Sequence, residues 1–180
     1  NEVLKISPFF LKIRIFIINY TQNNLKKKGE NMYNFISKSE KDTINFAKGL
    51  ASKLHKGDII VLTGELGSGK TKFTQGFLEY FGLENEISSP TFTIVNEYNS
   101  NTGLNIYHFD VYRLSDTDEF YAIGGDEYFE NGICIIEWGE LIKDALPKDY
   151  IHITFEKDDS NENYRKLKVE TFGNKYQNLF

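Results

Sequence analysis

Cysteine is almost missing from this sequence, and that scarcity excludes several classes of protein. Cys134 is the only cysteine among 180 residues, so a single chain can form neither a disulfide nor a cysteine-based zinc site. Residues 132–136 are mostly apolar, which predicts a buried strand and a structural thiol. This cysteine usage favours an intracellular protein, and we expect it in the cytoplasm.

Positive charge is also in short supply. The chain carries a formal net charge of −5, and residues 32–180 hold only 15 of its 21 basic residues but 24 of its 26 acidic residues. Proteins that bind nucleic acid draw most of their affinity from Lys and Arg side chains that neutralise phosphates. We therefore expect any role with nucleic acid to be indirect.

No apolar run in the first 31 residues is long enough to span a membrane. Residues 9–20 are interrupted by Lys12 and Arg14, fall short of the ~20 residues that a spanning helix needs, and precede no small-residue cleavage site. The sequence thus predicts neither a membrane anchor nor a signal peptide.

The same 31 residues differ from the rest of the chain. They are basic, they begin with Asn, and they precede the only methionine, Met32. Residues 28–30 read Lys-Gly-Glu, as a translated purine-rich ribosome-binding site would. We predict that residues 1–31 are a non-native upstream extension and that residues 32–180 are one domain. A genuine helical or disordered leader is the alternative.

The sequence does contain a complete phosphate loop, or Walker A motif. Residues 64–71 read GELGSGKT, an apolar run at 59–63 precedes them, and residues 72–81 have a helical pattern. The glycines let backbone N–H groups point at phosphate oxygens, while Lys70 supplies a positive charge and Thr71 a hydroxyl for Mg²⁺. This context predicts binding of a nucleoside triphosphate, and a chance glycine-rich turn is the alternative. The predicted ligand-binding residues are Glu65, Leu66, Gly67, Ser68, Gly69, Lys70 and Thr71.

Predicted strands and helices alternate along residues 32–180, which indicates an α/β fold. The strands lie at 33–36, 59–63, 92–98, 104–109, 133–136, 151–155 and 164–171, and the helices at 43–54, 72–81, 115–121 and 126–129. This order predicts a three-layer P-loop NTPase domain with a mainly parallel sheet and antiparallel hairpin additions. The site should lie at the carboxyl ends of the strands.

Two acidic residues follow predicted strands. Asp110 comes after the strand at 104–109, and Glu137 comes after the apolar strand at 133–136. We expect both at the edge of the sheet where the phosphates lie, one holding Mg²⁺ directly or through water and the other orienting the nucleophile. A helix cap or a surface acid is the alternative for each.

Four further residues are candidates with ordinary structural alternatives. Thr91 would sense a γ-phosphate as a switch residue, or simply begins a strand after a proline turn. His108 shares the strand face of the first acid, and alone is typical of a core histidine. Arg113 is one of only two arginines in residues 32–180. Trp138 suits either packing or an interface anchor.

Four segments in this order resemble the bacterial TsaE (YjeE) family: residues 64–71, Ser89–Phe92, His108–Leu114 and Ile136–Trp138. The resemblance extends over essentially all of 32–180. It implies an Mg²⁺-dependent ATPase, weak alone, of tRNA threonylcarbamoyladenosine biosynthesis. It also implies two partners, the threonylcarbamoyl transferase and its paralogous partner subunit, which modify adenosine 37 of tRNAs reading ANN codons. ATP hydrolysis would reset that complex, and tRNA would be contacted only through the partners.

The resemblance also implies a role for each motif residue and one departure from the family. Gly125 stands where the family often has a larger apolar residue, which concerns local packing. The implied roles are phosphate and Mg²⁺ binding for Lys70 and Thr71, metal binding and catalysis for Asp110 and Glu137, a switch role in catalysis for Thr91, and coupling to partners for Trp138, Arg113 and His108.

Two other functions use the same phosphate loop. A small-molecule kinase would use several arginines to neutralise the transferred group and would carry a lid-like insertion, and the sequence offers little of either. A GTPase-type switch usually needs an Asn-Lys-x-Asp segment for guanine, and Asn174–Gln177 lacks the acid.

Overall fold

A single seven-stranded sheet organises the computed structural model, which describes residues 32–84, 86, 88, 90, 93–158 and 161–180. The strand order across the sheet is β1-β7-β6-β2-β5-β4-β3. The four central strands β6, β2, β5 and β4 are parallel, and β1, β7 and β3 add antiparallel pairs at the two edges. The strands are β1 (Met32–Ser37), β2 (Ile59–Gly64), β3 (Val95–Asn99), β4 (Asn105–Asp110), β5 (Ile133–Glu137), β6 (Tyr150–Asp158) and β7 (Asn161–Phe172).

Helices cover both faces of the sheet. Helices α1 (Glu40–Ala51) and α2 (Lys70–Tyr80) pack on one face, where Phe46 stacks on Phe35 with ring centroids 4.6 Å apart and Phe73 meets Phe155 edge to face at 5.9 Å. Helix α3 (Thr117–Ala122) and two 3₁₀ helices, Gly125–Glu130 and Gly139–Ala145, cover the other face. The predicted α/β class with a parallel centre and antiparallel additions is therefore confirmed.

Local signals account for the start of α1. The Ser39 side chain accepts a hydrogen bond from the Asp42 N–H at 3.2 Å, and the Asp42 carboxylate accepts one from the Lys38 N–H at 3.0 Å. This reciprocal arrangement satisfies N–H groups that have no partner inside the helix. The cap predicted from Ser39 and Asp42 is confirmed, although the helix ends at Ala51 rather than at residue 54.

The region before β3 differs from the prediction. The N–H groups of Thr93 and Ile94 donate to the Pro90 carbonyl at 3.0 and 2.7 Å, so these residues form a turn and the strand begins only at Val95. Ile94 has a φ of +66°, a left-handed conformation that a β-branched residue rarely adopts. The prediction that residues 92–98 form one strand was wrong at residues 93 and 94, and Phe92 lies outside the described residues.

Two interior positions settle points raised by the sequence. Cys134 is buried in β5, where its thiol donates to the Tyr128 carbonyl at 3.6 Å and burial raises its pKa to about 12. It is a structural thiol, as predicted. At Gly125 a Cβ would overlap the Phe120 ring, so that ring fills the space that a larger residue would need.

Within the described part of the chain, no helix combines the length and the apolar character needed to cross a bilayer.

Candidate functional site

The loop between β2 and α2 is built on glycine conformations. Gly64, Gly67 and Gly69 have φ angles of +139°, +75° and +113°. A Cβ at Gly64 would lie 2.5 Å from the Phe155 carbonyl oxygen and 2.9 Å from the Ser68 hydroxyl oxygen. Only glycine fits there, because both the left-handed backbone and the close approach of β6 exclude a side chain.

The first turn of α2 is open to an anion. Helix α1 is capped by Ser39, and α3 is capped by Asp116, whose carboxylate accepts the Glu119 N–H at 3.0 Å. Helix α2 follows Gly69 and has no side-chain cap among the described residues. Its first N–H groups and their partial positive charge therefore face the loop, which is the arrangement that binds phosphate groups.

Lys70 bends back over this loop. Its ammonium donates to the carbonyl oxygens of Gly64 at 2.6 Å and Glu65 at 3.2 Å, and the side chain is largely buried. The pKa of Lys70 lies below its ordinary value, because burial disfavours the charged ammonium group. The negative charges of nearby acids offset part of this lowering. Phosphate oxygens are stronger acceptors for an ammonium group than neutral carbonyls are, so they could replace these carbonyls. The acids that act on Lys70 are Glu137, Glu140 and Asp110.

Trp138 lies against the same ammonium. The Lys70 Nζ atom is 4.3 Å from the centroid of the Trp138 ring. The centroids of the Tyr112 and Trp138 rings are 5.1 Å apart. The Trp138 backbone has a φ of +63°, and its N–H donates to the Leu62 carbonyl at 3.0 Å. The strand-end backbone thus directs this aromatic side chain to the phosphate loop.

Asp110 and Glu137 lie side by side at the carboxyl edge of the sheet. Each is the last residue of its strand, and the two are Cα partners in the parallel β4–β5 pair. Glu137 is also next to Leu62 of β2, two residues before the loop begins. One Asp110 oxygen accepts the Tyr112 N–H at 3.2 Å. The structure therefore brings both acids to the edge that carries the loop and Lys70.

His108 contacts Glu137 directly. Its Nε2 atom is 3.0 Å from a Glu137 carboxylate oxygen, and both side chains are buried. The other ring nitrogen, Nδ1, is also buried and has no hydrogen-bond partner among the described residues. Strand alternation placed His108 on the face of Asp110, but the contact with Glu137 crosses to a neighbouring strand and has no signal in local sequence.

The remaining predicted residues surround the loop or the turn after β4. Thr71 is exposed in the first turn of α2, Leu66 is 87 % exposed at the loop, and Arg113 is exposed after β4. The Ser68 hydroxyl is buried without a partner in the described residues. Thr91 lies outside the described residues.

One loop contact was not foreseen from the sequence. The Glu65 carboxylate forms an ion pair with Lys157 near the end of β6, with nitrogen and oxygen 3.2 Å apart. The two residues are 92 positions apart, so only the parallel β2–β6 pairing brings them together.

The donor set suits a magnesium–nucleotide complex better than an isolated metal ion. Within the described residues no three His, Cys, Asp or Glu side chains are grouped as a metal cage would require. A magnesium ion commonly takes only one or two carboxylates, its other ligands being waters and substrate phosphates. The uncapped helix, Lys70, the Thr71 hydroxyl and the two strand-end acids fit that arrangement.

Comparison with known proteins points to one family. The family model for "Threonylcarbamoyl adenosine biosynthesis protein TsaE" matches residues 37–167, a range that contains the phosphate loop and both strand-end acids. Two similar proteins are each named tRNA threonylcarbamoyladenosine biosynthesis protein TsaE. The one from Bacillus subtilis (strain 168) is 41 % identical over 139 residues, covering 77 % of this chain and 85 % of that protein. The one from Rickettsia typhi is 38 % identical over 135 residues, covering 74 % and 93 %.

A solved structure also resembles this chain in fold. The crystal structure of Bacillus subtilis YdiB superposes with a TM-score of 0.68 at 35 % identity, covering 83 % of this chain and 92 % of that one.

Proposed function

Because this chain belongs to the threonylcarbamoyl adenosine biosynthesis protein TsaE family, we propose that it is an Mg²⁺-dependent ATPase that serves tRNA threonylcarbamoyladenosine formation. The names of its relatives support the pathway. The nucleotide chemistry rests on one observation, the glycine-built loop that leads into the uncapped N-terminus of α2. Such a loop binds the phosphates of a nucleotide.

Each side chain of the site has a task in this proposal. Lys70 leaves the carbonyls of Gly64 and Glu65 and moves onto the β- and γ-phosphates. Thr71 and one of the two acids hold Mg²⁺, which offsets phosphate charge when it is bound. The other acid orients the attacking water and accepts its proton, as the water oxygen bonds to the γ-phosphorus and the bond from that phosphorus to the bridging oxygen of the leaving ADP breaks. We assign this second task to Glu137, because it lies on the strand next to β2.

The proposal extends to partners and location. We propose that the protein works in the cytoplasm with the threonylcarbamoyl transferase and its paralogous partner subunit, and that its hydrolysis of ATP resets their complex. Residues 32–180 are acidic, so tRNA is contacted only through these partners. Thr91, as a switch residue, together with Trp138 and Arg113, would couple the nucleotide to the partner surface.

A phosphate-release assay on the full chain tests the reaction. We expect slow Mg²⁺-dependent release of free phosphate from ATP, faster release with the partner complex, and weaker binding of GTP than of ATP. Glu137→Gln should bind ATP normally yet release phosphate at least ~100-fold more slowly, because the substitution keeps the shape of the side chain and removes its charge. Stoichiometric phosphorylation of a small molecule would instead indicate a kinase, and preference for GTP would indicate a GTPase switch.

A gel-shift titration with tRNA tests the indirect role. Without partners the protein should bind tRNA barely at physiological salt, because positive charge is scarce over residues 32–180. Tight, salt-sensitive binding would contradict the proposal.

A further inference from the structure

His108 and Glu137 form a buried pair that the ATPase proposal does not yet use. Among the described residues, the bond from His108 is the only hydrogen bond of the Glu137 side chain. His108 is 2 % exposed and Glu137 is 7 % exposed. We propose that His108 is a positioning residue that fixes the Glu137 carboxylate for ATP hydrolysis, an inference that rests on the proposed function.

The register of the sheet shows which way the Glu137 side chain points. The Cα partner of Glu137 on β4 is Asp110, yet its carboxylate reaches His108, two residues earlier on that strand. The Glu137 side chain therefore leans back along the sheet instead of extending past its edge. Without His108, nothing among the described residues would hold it there, and the carboxylate would turn toward solvent or toward the Lys70 ammonium.

The chemistry of the pair fixes where the ring proton lies. An ionised carboxylate only accepts hydrogen bonds, so the His108 Nε2 atom must carry a hydrogen and donate it. In the neutral ring Nδ1 is then a bare acceptor, and Nδ1 is the buried atom without a partner. One Glu137 oxygen is thus occupied by His108, and the second oxygen remains for the attacking water. Groups that orient a reactive side chain in this way typically change rate or affinity by ~10–100-fold when they are removed.

Two amide substitutions separate the two ring nitrogens. The amide nitrogen of Gln stands where histidine has Nε2, whereas the shorter Asn places its amide nitrogen near the position of Nδ1. His108→Gln therefore keeps a donor for Glu137, and His108→Asn is its matched control, with the same chemistry one bond too short. We expect His108→Asn to lower kcat by ~10–100-fold and His108→Gln by less than about threefold, with the KM for ATP nearly unchanged in both.

Steady-state and single-turnover hydrolysis by the full chain would test this, with both variants made in the wild type and in Glu137→Gln. If His108 acts through Glu137, His108→Asn should cost nothing further once Glu137→Gln is present. The inference is overturned if His108→Asn leaves kcat unchanged, if Gln and Asn lose kcat equally, or if the Asn loss persists in Glu137→Gln. A wild-type protein that hydrolyses no ATP would instead refute the proposed function.

A measurement on the unmodified protein covers the case in which the variants fail to fold. The chain has only three histidines, so the ring nitrogens of His108 can be assigned by nitrogen NMR. We expect hydrogen on Nε2. The opposite tautomer would overturn the inference, because Nε2 could then not donate to Glu137.

Discussion

The two ends of the central strand β2 each border a buried carboxylate, and the two carboxylates differ in the donors that they contact among the described residues. Asp58, just before β2, is 2 % exposed; it accepts hydrogen bonds from the His55 N–H at 2.6 Å and the Tyr176 hydroxyl at 2.9 Å, and it forms an ion pair with the Lys175 ammonium at 2.7 Å. Glu137, beside the other end, accepts a single hydrogen bond among the described residues, from His108. A buried acid with a full set of donors stabilises the fold, whereas one with spare acceptor capacity can act on a ligand.

Neighbouring groups show the same contrast. At the Asp58 end, the N–H groups of Asn174 and Lys175 also bond to Asp149, so the segment after β7 is tied down by its own network. Four buried side-chain atoms have no hydrogen-bond partner among the described residues, and three of them belong to the loop, to α2 or to the partner of Glu137. These atoms are Ser68 Oγ, Thr74 Oγ1 and His108 Nδ1, with Thr171 Oγ1 on β7 as the fourth.

The largest expected effect separates two lysines, one from each end. Lys70 and Lys53 both have a pKa lowered by burial, and each ammonium donates to backbone carbonyl groups. Lys70→Ala should weaken ATP binding by ~100-fold, because it removes the charge that binds the phosphates. Lys53→Ala, the matched control, should leave the affinity unchanged. Isothermal titration measures the ATP affinity of both variants. Equal losses of affinity would contradict the assignment of phosphate binding to Lys70.

The second prediction concerns stability. Asp58→Asn should lower the free energy of unfolding by about 2 kcal/mol, because it leaves the buried Tyr176 hydroxyl and the charged Lys175 without a strong acceptor. Urea unfolding measures this loss, and phosphate release per folded molecule should not change. Glu137→Gln should show the reverse, with little loss of stability and a large loss of turnover. A Glu137→Gln protein less stable than Asp58→Asn would refute the assignment of the two acids.

The smallest expected effect is on the pH dependence of stability. It comes from His152, which lies on the sheet face opposite α2. The His152 Nε2 atom lies 2.9 Å from the Thr63 hydroxyl, one residue before the phosphate loop. Burial lowers the pKa of His152 below its ordinary 6.5, and Lys168 adds to this while Glu170 opposes it. The folded protein thus favours the neutral ring. Stability is greatest above pH 6.5 and is lost as the pH falls through the lowered folded-state pKa.

His152→Gln tests this dependence, because its side chain does not titrate. Between about pH 7.5 and about pH 5.5, the melting temperature of the wild type should fall more than that of the variant. Parallel curves would show that His152 does not contribute.

Local patterns predicted much of the fold. The Ser39 cap and the apolar strands at 59–63 and 133–136 depend on signals only a few residues long, and these predictions are confirmed. The start of β3 was missed because the Pro90 carbonyl draws two N–H groups into a turn. The 3₁₀ helix Gly139–Ala145 was also missed. The residue before it, Trp138, has a left-handed backbone, and a tryptophan does not signal that conformation in a sequence as a glycine would.

Contacts between distant residues could not be predicted in this way. Asp58 and Tyr176 are 118 positions apart, and His108 and Glu137 are 29 apart. Strand alternation gives the face of a side chain but not which neighbouring strand it touches, because that depends on the order of strands in the sheet. The acids at the strand ends were located by sequence, whereas the bonds that hold them required the structure.

The position of Trp138 makes its fluorescence sensitive to events at the phosphate loop. It is the only tryptophan in the chain, and its ring lies against the Lys70 ammonium. Excitation at the red edge of the absorption band, where the eleven tyrosines do not absorb, would therefore report emission from the phosphate loop alone. The proposed function moves Lys70 onto phosphate, so its charge would leave the indole face and the emission should shift. In the proposed function, the unlabelled protein would thus carry its own fluorescent indicator of nucleotide binding.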